Sequence, residues 1–451
     1  MKRWWTSLSG SLASKYRYAV FAVWAVIVIV YVHTKAPIIW QADWTHDDLM
    51  NCYRAFQSTW KQLWIDIVCF WQPTPVFRPV GELFYKVMFD QLGMSAFGWR
   101  AVVSVFLIGN AFVLGHVASR LSGSMAVGLA ATAIASFHSL WGHLYLNTGT
   151  IFEIFAFTFV WGGLALYVEF HEKAWVPYAT AAILVLGLDS KESAIVLPVF
   201  VVLYEWIWNR RTPWVFCGLA ALISISFIVG RVYGPNGLSS IGNYQPEYSP
   251  GAYAKSFQQY FASLILWQKV PMWAAFAIAS LPLFLRSRFG LFAAFVFPVG
   301  ILPLAFVPAR GLDGVYVACA SLALAISSLL LLLPKEKWRY AGAAVIFLGM
   351  GQWMPGIKSP DGWDKEFQAI RGFHEGLKEL APVMPANAQV RFVKEPFGPE
   401  APWASVFATR LLYRDITIEV VGEHNPHTKD LPATKDFAAF EWREGKLYRL
   451  K

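Results

Sequence analysis

Long apolar stretches separated by short polar loops make up most of this chain. An apolar stretch of about 18 or more residues is long enough, as a helix, to cross the hydrocarbon core of a bilayer. Because these stretches are continuous rather than alternating, they exclude a transmembrane β-barrel. The pattern predicts about eleven membrane-spanning helices, near residues 18–39, 97–119, 124–141, 150–170, 175–190, 192–208, 213–233, 269–285, 289–307, 314–333 and 338–355.

One polar segment is much longer than the others, the loop 40–96 between the first two spans. It carries two adjacent carboxylates, Asp47 and Asp48, near its start and Arg78 near its end. The stretch Pro79–Leu92 is too short and too charged to cross, so we predict that it is an amphipathic interfacial helix. Aromatic residues in the same loop suit helices in the membrane interface, namely Trp60, Trp64, Phe70 and Trp71.

From Gly356 onward the pattern becomes that of a soluble α+β domain. Apolar residues at helical spacing predict a helix over Trp363–Leu380. The other predicted elements are strands over Gln389–Val393 and Ile416–Val421, a helix over Trp403–Tyr413, and a hairpin of Phe437–Trp442 and Lys446–Leu450. We therefore expect a membrane domain, residues 1–355, followed by a small soluble domain, residues 356–451.

Composition agrees with a membrane protein and limits its partners. Hydrophobic residues make up 56% of the chain and charged residues only 15%, whereas soluble domains contain about 25% charged residues. The net charge of +9 would suit nucleic acid. The basic residues lie in short loops at helix ends, however, which is the usual signal of membrane topology. We therefore exclude nucleic acid and expect membrane lipids as partners.

The basic loops predict an orientation. Lysine and arginine fall on the same side as the basic N-terminus, at Arg120, Lys173, Arg210, Arg211, Arg286, Arg288, Lys335, Lys337 and Arg339. That side is predicted to be the cytoplasm, in a bacterial inner membrane, with the first span as an uncleaved signal anchor. The loop 40–96 and the C-terminal domain are then extracytoplasmic. In an oxidising compartment Cys52 and Cys69 could form a disulfide, or both could stay as free thiols.

Ionisable residues cluster at the extracytoplasmic ends of the spans. A charge within a bilayer costs about 2.5–3.5 kcal/mol, so such residues call for a functional explanation. Arginine and lysine can bind phosphate oxygens, and adjacent carboxylates suit proton abstraction or a divalent metal. Together they suit a sugar joined to a lipid phosphate. The candidates are Asp47, Asp48, Arg78, Glu82, His138, His143, Lys191, Glu192 and Arg310.

Each candidate also has a structural interpretation. The acidic pair could cap the helix that follows it, because Asp is common at helix starts. Arg78 could extend to the lipid headgroups. Lys191 with Glu192, and Arg310 with Asp313, could be ion pairs that neutralise each other. Histidines at helix ends more often satisfy hydrogen bonds than bind metals.

The order of these features resembles the GT-C class of polyprenyl-phosphate-sugar-dependent membrane glycosyltransferases, and more narrowly its protein O-mannosyltransferase and TMTC-like branch. The resemblance covers about residues 18–333. It is carried by Trp44-Thr45-His46-Asp47-Asp48, Phe77-Arg78-Pro79-Val80-Gly81-Glu82-Leu83, Phe137-His138-Ser139, Ser190-Lys191-Glu192-Ser193-Ala194 and Pro308-Ala309-Arg310. The chain departs from the pattern in three ways. Ser139 replaces a proline, the tyrosine after the late arginine is displaced to Tyr316, and no TPR array follows the membrane domain.

The resemblance implies a GT-C fold and a polyprenyl-phosphate-linked sugar as donor. Asp47 or Asp48 would be the general base on an acceptor hydroxyl of a glycan, lipid or protein, and the reaction would invert the anomeric carbon. Cations would stabilise the leaving lipid phosphate, here Arg78, Lys191 and Arg310. Site residues of second rank would be Glu82, His138, His143 and Glu192. A divalent metal could bind at the acidic pair, as in some GT-C relatives.

Two other functions fit the same composition. A transporter or flippase of lipid-linked saccharides would also need cations and aromatic residues at the membrane face. Such a protein should show inverted repeats or broken helices near the bilayer midplane, and the sequence has no matched halves. A non-catalytic scaffold derived from a GT-C enzyme would use the C-terminal domain as its binding module.

Overall fold

The computed structural model of this chain describes residues 2–69, 78–138, 142–234, 245–265, 270–307, 312–353, 362–425 and 431–450. The described chain is mostly helical. Its α-helices are α1 (Lys2–Lys35), α2 (Ile38–Gln41), α3 (His46–Gln57), α4 (Trp60–Val68), α5 (Pro79–Leu92), α6 (Ala96–Ser122), α7 (Met125–Ser136), α8 (Gly142–Leu146), α9 (Ile151–Phe170), α10 (Val176–Leu188), α11 (Leu197–Tyr204), α12 (Trp214–Phe227), α13 (Pro250–Leu264), α14 (Met272–Ala279), α15 (Arg288–Gly300), α16 (Leu302–Ala305), α17 (Tyr316–Ser328), α18 (Glu336–Trp353), α19 (Trp363–Leu380) and α20 (Ala404–Tyr413).

Several of these helices are apolar enough to cross a membrane. Among the described residues, six stretches have the necessary length and composition: Tyr16–Lys35, Ala96–Ser122, Thr148–Phe170, Glu192–Asn209, Trp214–Arg231 and Arg288–Ala305. Shorter apolar helices cover Met125–Ser136, Val176–Leu188, Met272–Leu285 and Tyr316–Leu332. This set is compatible with a polytopic membrane protein and indicates membrane association. The number of crossings, about eleven, stays a prediction.

Small residues let the central helices of the bundle approach closely. Helix α6 packs against α1, α7 and α9. Where α6 meets α7, a Cβ built on Gly128 would lie 2.5 Å from the carbonyl oxygen of Gly115, with the Phe21 ring at the same distance. Glycine is therefore needed at this crossing, in the way that small residues bring helix backbones together in membranes.

The basic loops meet at one end of the bundle. The contacts that join them are Arg120 Nε to Glu169 Oε1 at 3.0 Å, Arg211 Nη2 to the His171 carbonyl at 3.4 Å, and Arg288 Nη1 to the Trp208 carbonyl at 3.3 Å. Helix α6 ends at this basic end and begins, at Ala96, at the other. The loop that precedes Ala96 therefore lies at the end opposite the basic residues. Which end faces the cytoplasm stays a prediction.

The predicted interfacial segment is a helix over the expected residues, since α5 runs from Pro79 to Leu92. Its position relative to a membrane stays a prediction. Proline at the first helical position and Gly93 after the last residue explain the sharp boundaries. In the same loop Cys52 is buried, Cys69 is half-buried, and both are free thiols. Phe70, Trp71 and Phe77 lie outside the described residues.

The C-terminal residues form a four-stranded sheet with two helices. The strands are β1 (Gln389–Lys394), β2 (Glu419–Val421), β3 (Asp436–Arg443) and β4 (Lys446–Arg449), in the order β2-β1-β3-β4. Strand β1 is parallel to β2 and β3, while β3 and β4 form an antiparallel hairpin. Its turn has positive φ at Glu444 (49°) and Gly445 (79°), as a two-residue turn that matches strand twist requires.

Helix α19 has the predicted bounds, whereas β2 is shorter than predicted. We expected a strand from Ile416, and it begins at Glu419. The reason lies in Asp415, whose carboxylate accepts hydrogen bonds from the backbone N–H of Thr417 (2.8 Å) and from its hydroxyl (2.7 Å). This side-chain turn directs the backbone away from the sheet before the strand can start.

Candidate functional site

The start of α3 separates the two adjacent carboxylates. Thr45 caps the helix: its hydroxyl accepts from the Asp48 N–H (3.2 Å), while Asp48 Oδ2 accepts from the Thr45 N–H (3.1 Å). This reciprocal capping fixes the rotation of the helix. Because successive helical side chains point about 100° apart, Asp48 is directed inward and Asp47 outward. The two carboxylates therefore lie in different environments.

Asp48 forms a buried ion pair. Its side chain is 0% exposed, and its carboxylate lies 3.6 Å from Arg100 Nη2 and accepts from the Tyr85 hydroxyl at 3.2 Å. Burial raises the pKa of Asp48 to about 6, although Arg100 acts in the opposite direction. Arg100 also donates to the Asp43 carbonyl (2.8 Å) and to the Thr148 hydroxyl (2.9 Å). Asp48 thus joins α3 to α5 and α6, which agrees with the capping interpretation.

Beside α3 lies a cavity of about 360 Å³ at the end of the bundle opposite the basic loops. It brings together three of the predicted site residues from distant parts of the chain: Asp47, Arg78 and Lys191. Its other lining residues are Met50, Asn51, Arg54, Asn147, Gly149, Thr150, Phe152 and Glu153. Its volume falls within the roughly 300–1,000 Å³ usual for small-ligand sites.

Each of the three cations that line the cavity is held by a glutamate. The pairs are Lys191 Nζ to Glu153 Oε1 at 2.5 Å, Arg78 Nη2 to Glu192 Oε1 at 3.3 Å, and Arg54 Nε to Glu82 Oε2 at 3.3 Å. Glu82 also accepts a hydrogen bond from the Ser58 hydroxyl. Two predicted residues of second rank, Glu82 and Glu192, therefore position cations. Fixed cations lose little conformational freedom when an anion binds between them.

Gly81 explains part of the arginine–proline motif. The Arg78 guanidinium carbon lies 5.2 Å from the centre of the Phe152 ring, a cation–π contact. A Cβ on Gly81 would overlap that same ring. Glycine at this position therefore lets Phe152 lie against the first turn of α5, under the guanidinium of Arg78.

Asp47 differs from the glutamates around it. Its side chain is exposed, and in the part of the chain that the structure describes it has no hydrogen bond or ion pair. The turn at Gly149 lies beside it, because a Cβ added to Gly149 would lie 3.4 Å from the Asp47 Cβ. The Gly149 N–H donates to the Asn147 side chain at 2.6 Å, which fixes this turn. Asp47 is thus a carboxylate that could accept a proton from a molecule in the cavity.

Sequence reasoning missed three charged residues near the cavity. Glu153 and Arg54 line it. Arg231 is 2% exposed and interacts electrostatically with Arg78, Glu192 and Asp189, among others. Glu153 and Arg231 lie within predicted spans, where a charged residue is itself a signal of function. Neither residue is among the candidates drawn from the sequence.

The other predicted site residues lie elsewhere. His138 is buried and its Nε2 lies 2.6 Å from the Leu264 carbonyl. The His143 ring packs on Trp363 of the C-terminal domain, with 4.5 Å between ring centroids. Neither histidine is among the residues that line the cavity. Arg310 lies outside the described residues.

The acidic pair does not fit a divalent metal. Metal ligands must converge on one point, and here the Asp48 carboxylate is directed to Arg100 while Asp47 is directed into the cavity. Among the described residues, no group of three or more His, Cys, Asp or Glu side chains is arranged to hold a metal ion. We therefore assign no chemical step to a metal at this pair.

The C-terminal domain docks on the opposite side of α3. The His46 ring lies 3.3 Å from the Glu366 carboxylate and packs on Phe397 and Trp403. Three arginines of the domain add contacts: Arg371 Nε to Asp43 Oδ2 at 2.7 Å, Arg410 Nη1 to the Tyr53 hydroxyl at 2.6 Å, and Arg414 Nη2 to the Phe89 carbonyl at 3.1 Å. Helix α3 thus lies between this domain and the cavity.

The double variant Arg371→Ala/Arg410→Ala is expected to loosen this docking. It removes three hydrogen bonds from the domain to the loop 40–96, those of Arg371 to Asp43 and to the Gln41 carbonyl and that of Arg410 to Tyr53, each worth about 1 kcal/mol net. Hydrogen exchange should become faster in α3 and α19, with no change in the transmembrane helices. Lys446→Ala, an exposed change on the same domain, is the control. Equal exchange in both variants would mean that these arginines do not hold the domain.

No protein-family model matches the chain, and a search of curated proteins finds no match to its sequence. Function must therefore be inferred from the cavity itself. Its defining feature is one exposed carboxylate beside three cations, each cation paired with a glutamate.

Proposed function

We propose that the protein is an integral membrane glycosyltransferase of GT-C architecture, which transfers a sugar from a polyprenyl-phosphate donor to an acceptor hydroxyl. The observation that carries the proposal is the cavity in which Asp47 faces Arg54, Arg78 and Lys191. Among the described residues Asp47 has no hydrogen bond or ion pair, and such a carboxylate suits proton abstraction. Three positioned cations suit a phosphate that gains charge during the reaction.

In the proposed reaction, Asp47 removes the proton of the acceptor hydroxyl. The acceptor oxygen attacks the anomeric carbon of the sugar from the side opposite the phosphate, so the configuration inverts. The bond between the anomeric carbon and the phosphate oxygen breaks, and its electron pair stays on the leaving polyprenyl phosphate. Arg78 and Lys191 stabilise that charge, and Arg54 adds a third positive charge. We call these three residues, Arg54, Arg78 and Lys191, the cationic wall. The proton then leaves Asp47 to solvent.

The glutamates support this chemistry by restricting the cations. Lys191 has three N–H donors and directs one of them at Glu153. Arg78 has a planar fork of donors and directs one of its nitrogens, Nη2, at both carboxylate oxygens of Glu192. Each cation is therefore fixed in position at the cavity, where a phosphate would meet its positive charge. Such preorganised charge stabilises a transition state without reorganisation during the reaction.

A second cavity offers a path for the isoprenoid tail. It has a volume of about 430 Å³, is mainly apolar, and is lined by Tyr248, Ser249, Pro250, Tyr253, Leu302 and Phe306. Helix α16, which contributes Leu302, packs against the turn Glu192–Val196. Lys191 immediately precedes that turn, so an apolar tail in this groove would start close to the cationic wall.

The proposal includes an orientation and a location. The basic loops would face the cytoplasm of a bacterial cell. The cavity and the C-terminal domain would then face outward, where lipid-linked sugars and their acceptors meet. About eleven crossings would place the two termini on opposite sides, with the N-terminus inside. The acceptor would be a glycan, a lipid or a protein.

The test is transfer of radiolabelled sugar from a polyprenyl-phosphate monosaccharide by purified protein in proteoliposomes, with cell-envelope extract as acceptor. We expect label to move to the acceptor and unlabelled polyprenyl phosphate to be released. A flippase would move the intact labelled lipid to the other leaflet without breaking the sugar–phosphate bond. Label that stays on the lipid with every donor tried would contradict the proposal.

Lys191→Met is expected to weaken binding of the donor by about 10- to 100-fold, the value of one charge-assisted hydrogen bond to phosphate. The change also leaves Glu153 without its cation, so Lys191→Met/Glu153→Gln is the matched variant that removes both charges. Both should bind donor weakly in an equilibrium assay with labelled lipid. Lys173→Met, an exposed change at the basic end, should bind normally. If the double variant bound the donor with wild-type affinity, Lys191 would not be part of the donor-binding site.

A further inference from the structure

A third cavity, of about 640 Å³, lies at the basic end of the bundle, away from the proposed catalytic site. It opens between the end of the stretch Glu192–Asn209 and the start of α15. Its walls are mainly apolar and include Trp206, Leu283 and Phe295, all exposed. The rim carries three arginines, which we call the arginine rim: Arg210, Arg286 and Arg288.

The arginine rim differs from its neighbours in its charge balance. Other arginines at this end are neutralised within the chain: Arg120 by Glu169 (3.0 Å), Arg211 by Glu205 (2.8 Å) and Arg339 by Glu336 (2.9 Å). In the described part of the chain, no member of the arginine rim forms an ion pair; Arg288 donates only to the Trp208 carbonyl. Among the described residues, these three positive charges at the edge of the apolar groove therefore have no protein anion to balance them.

Two members of the arginine rim adopt a backbone conformation that costs energy. Arg210 has φ 55° and Arg286 has φ 48°, and each follows the last residue of a helix. Glycine or asparagine usually occupies such positions, because a Cβ is strained there. A glycine would suit the backbone better at both sites. The cationic side chain is therefore the property that explains arginine there.

We propose that this cavity binds an anionic phospholipid of the adjacent leaflet. The arginine rim binds the phosphodiester of the headgroup, and an acyl chain lies against Trp206, Leu283 and Phe295. Basic pockets between transmembrane helices recognise anionic headgroups in this way, and the groove supplies the apolar surface that a free phosphate would not need. This inference depends on membrane association and not on the proposed glycosyl transfer.

The experiment measures lipid preference of the full-length protein. Purified protein in mixed micelles is titrated with spin-labelled phosphatidylglycerol or phosphatidylcholine, and the bound fraction of each is measured. The test variant is Arg210→Asn/Arg286→Asn/Arg288→Gln, because asparagine tolerates positive φ and keeps the backbone unstrained. The control is Lys173→Gln/Lys335→Gln/Lys337→Gln, which removes the same charge from exposed positions at the same end.

We expect the wild type and the lysine control to prefer phosphatidylglycerol, and the arginine variant to lose that preference by roughly 10- to 100-fold. Unchanged binding of phosphatidylcholine in the arginine variant would show that the groove itself is intact. If both triple variants lost the preference for phosphatidylglycerol equally, the preference would come from the general surface charge, and the proposed lipid site would be wrong. So would equal binding of the two lipids by the wild type, or displacement of the labelled lipid by inorganic phosphate at millimolar concentration.

Discussion

Asp47→Asn is expected to lower the rate of sugar transfer by about 10²- to 10⁴-fold, which is the usual contribution of a general base. The amide keeps the shape of the carboxylate but cannot take the acceptor proton. Asp47 is exposed and has no partner among the described residues, so the amount of folded protein should not change. The measurement is transfer of labelled sugar in proteoliposomes at saturating donor, together with the thermal unfolding temperature.

Two comparisons make this result specific. Asp90→Asn removes an exposed carboxylate at the other end of α5, in the same loop but outside the cavity, and should transfer sugar normally. Asp47→Glu keeps the negative charge but shifts its position, so its rate of sugar transfer should lie between those of Asp47→Asn and Asp90→Asn. If Asp47→Asn is active and Asp48→Asn is not, the base is Asp48 and our assignment is wrong.

Arg100→Met is expected to destabilise the protein by about 3–5 kcal/mol at neutral pH, the range for breaking a buried ion pair. The change removes the cation that faces Asp48 and leaves the Asp43 carbonyl without its donor. The measurement is thermal unfolding in detergent, with Lys61→Met, an exposed change in the same loop, as the comparison.

The size of this loss should depend on pH. Burial raises the folded pKa of Asp48 to about 6 and Arg100 opposes that rise, so in Arg100→Met the folded pKa should be higher still. A carboxyl whose folded pKa exceeds its unfolded value of about 3.9 stabilises the fold most below that value, and the contribution is lost as pH rises through the folded pKa. The difference in free energy of unfolding between the wild type and Arg100→Met should therefore increase from pH 5 to pH 8. For Arg100→Met/Asp48→Asn, which lacks the carboxyl, the loss of stability caused by Arg100→Met should depend little on pH. A loss that does not change with pH in the single variant would contradict the effect of Arg100 on the pKa of Asp48.

The sequence was most informative where local rules decide the structure. Helices over Pro79–Leu92 and Trp363–Leu380 were predicted with the bounds they have, because proline, glycine and apolar spacing act within a few residues. The sidedness of the charges also carried information. It led to Asp47, Arg78 and Lys191, which the fold brings to one cavity.

The remaining features depend on packing, which local rules do not describe. From the sequence, Asp47 and Asp48 look equivalent, because the rotation of α3 about its axis decides which of them is buried. Thr45, three residues before Asp48, is a capping signal that could have distinguished the two. Arg54 gave no signal, because an arginine on a polar helix is ordinary. The docking of Glu366 on His46 joins residues 320 positions apart, and no pattern within one sequence predicts such a contact.

Helix α3 carries consequences beyond the two residues of its first turn. His46 contacts Glu366 of the C-terminal domain, and Asp47, its neighbour, lines the cavity. Because the two residues are adjacent in one helical turn, a shift of His46 would also move Asp47, and an error of about 1 Å in a reacting group can cost 10²-fold in rate. In the proposed reaction, the C-terminal domain would thus fix the position of the Asp47 carboxylate through its contact with His46. Removing the C-terminal domain would leave every charged residue of the cavity in the chain. It would also release the first turn of α3 from its contact at His46, so the Asp47 carboxylate would lose that support.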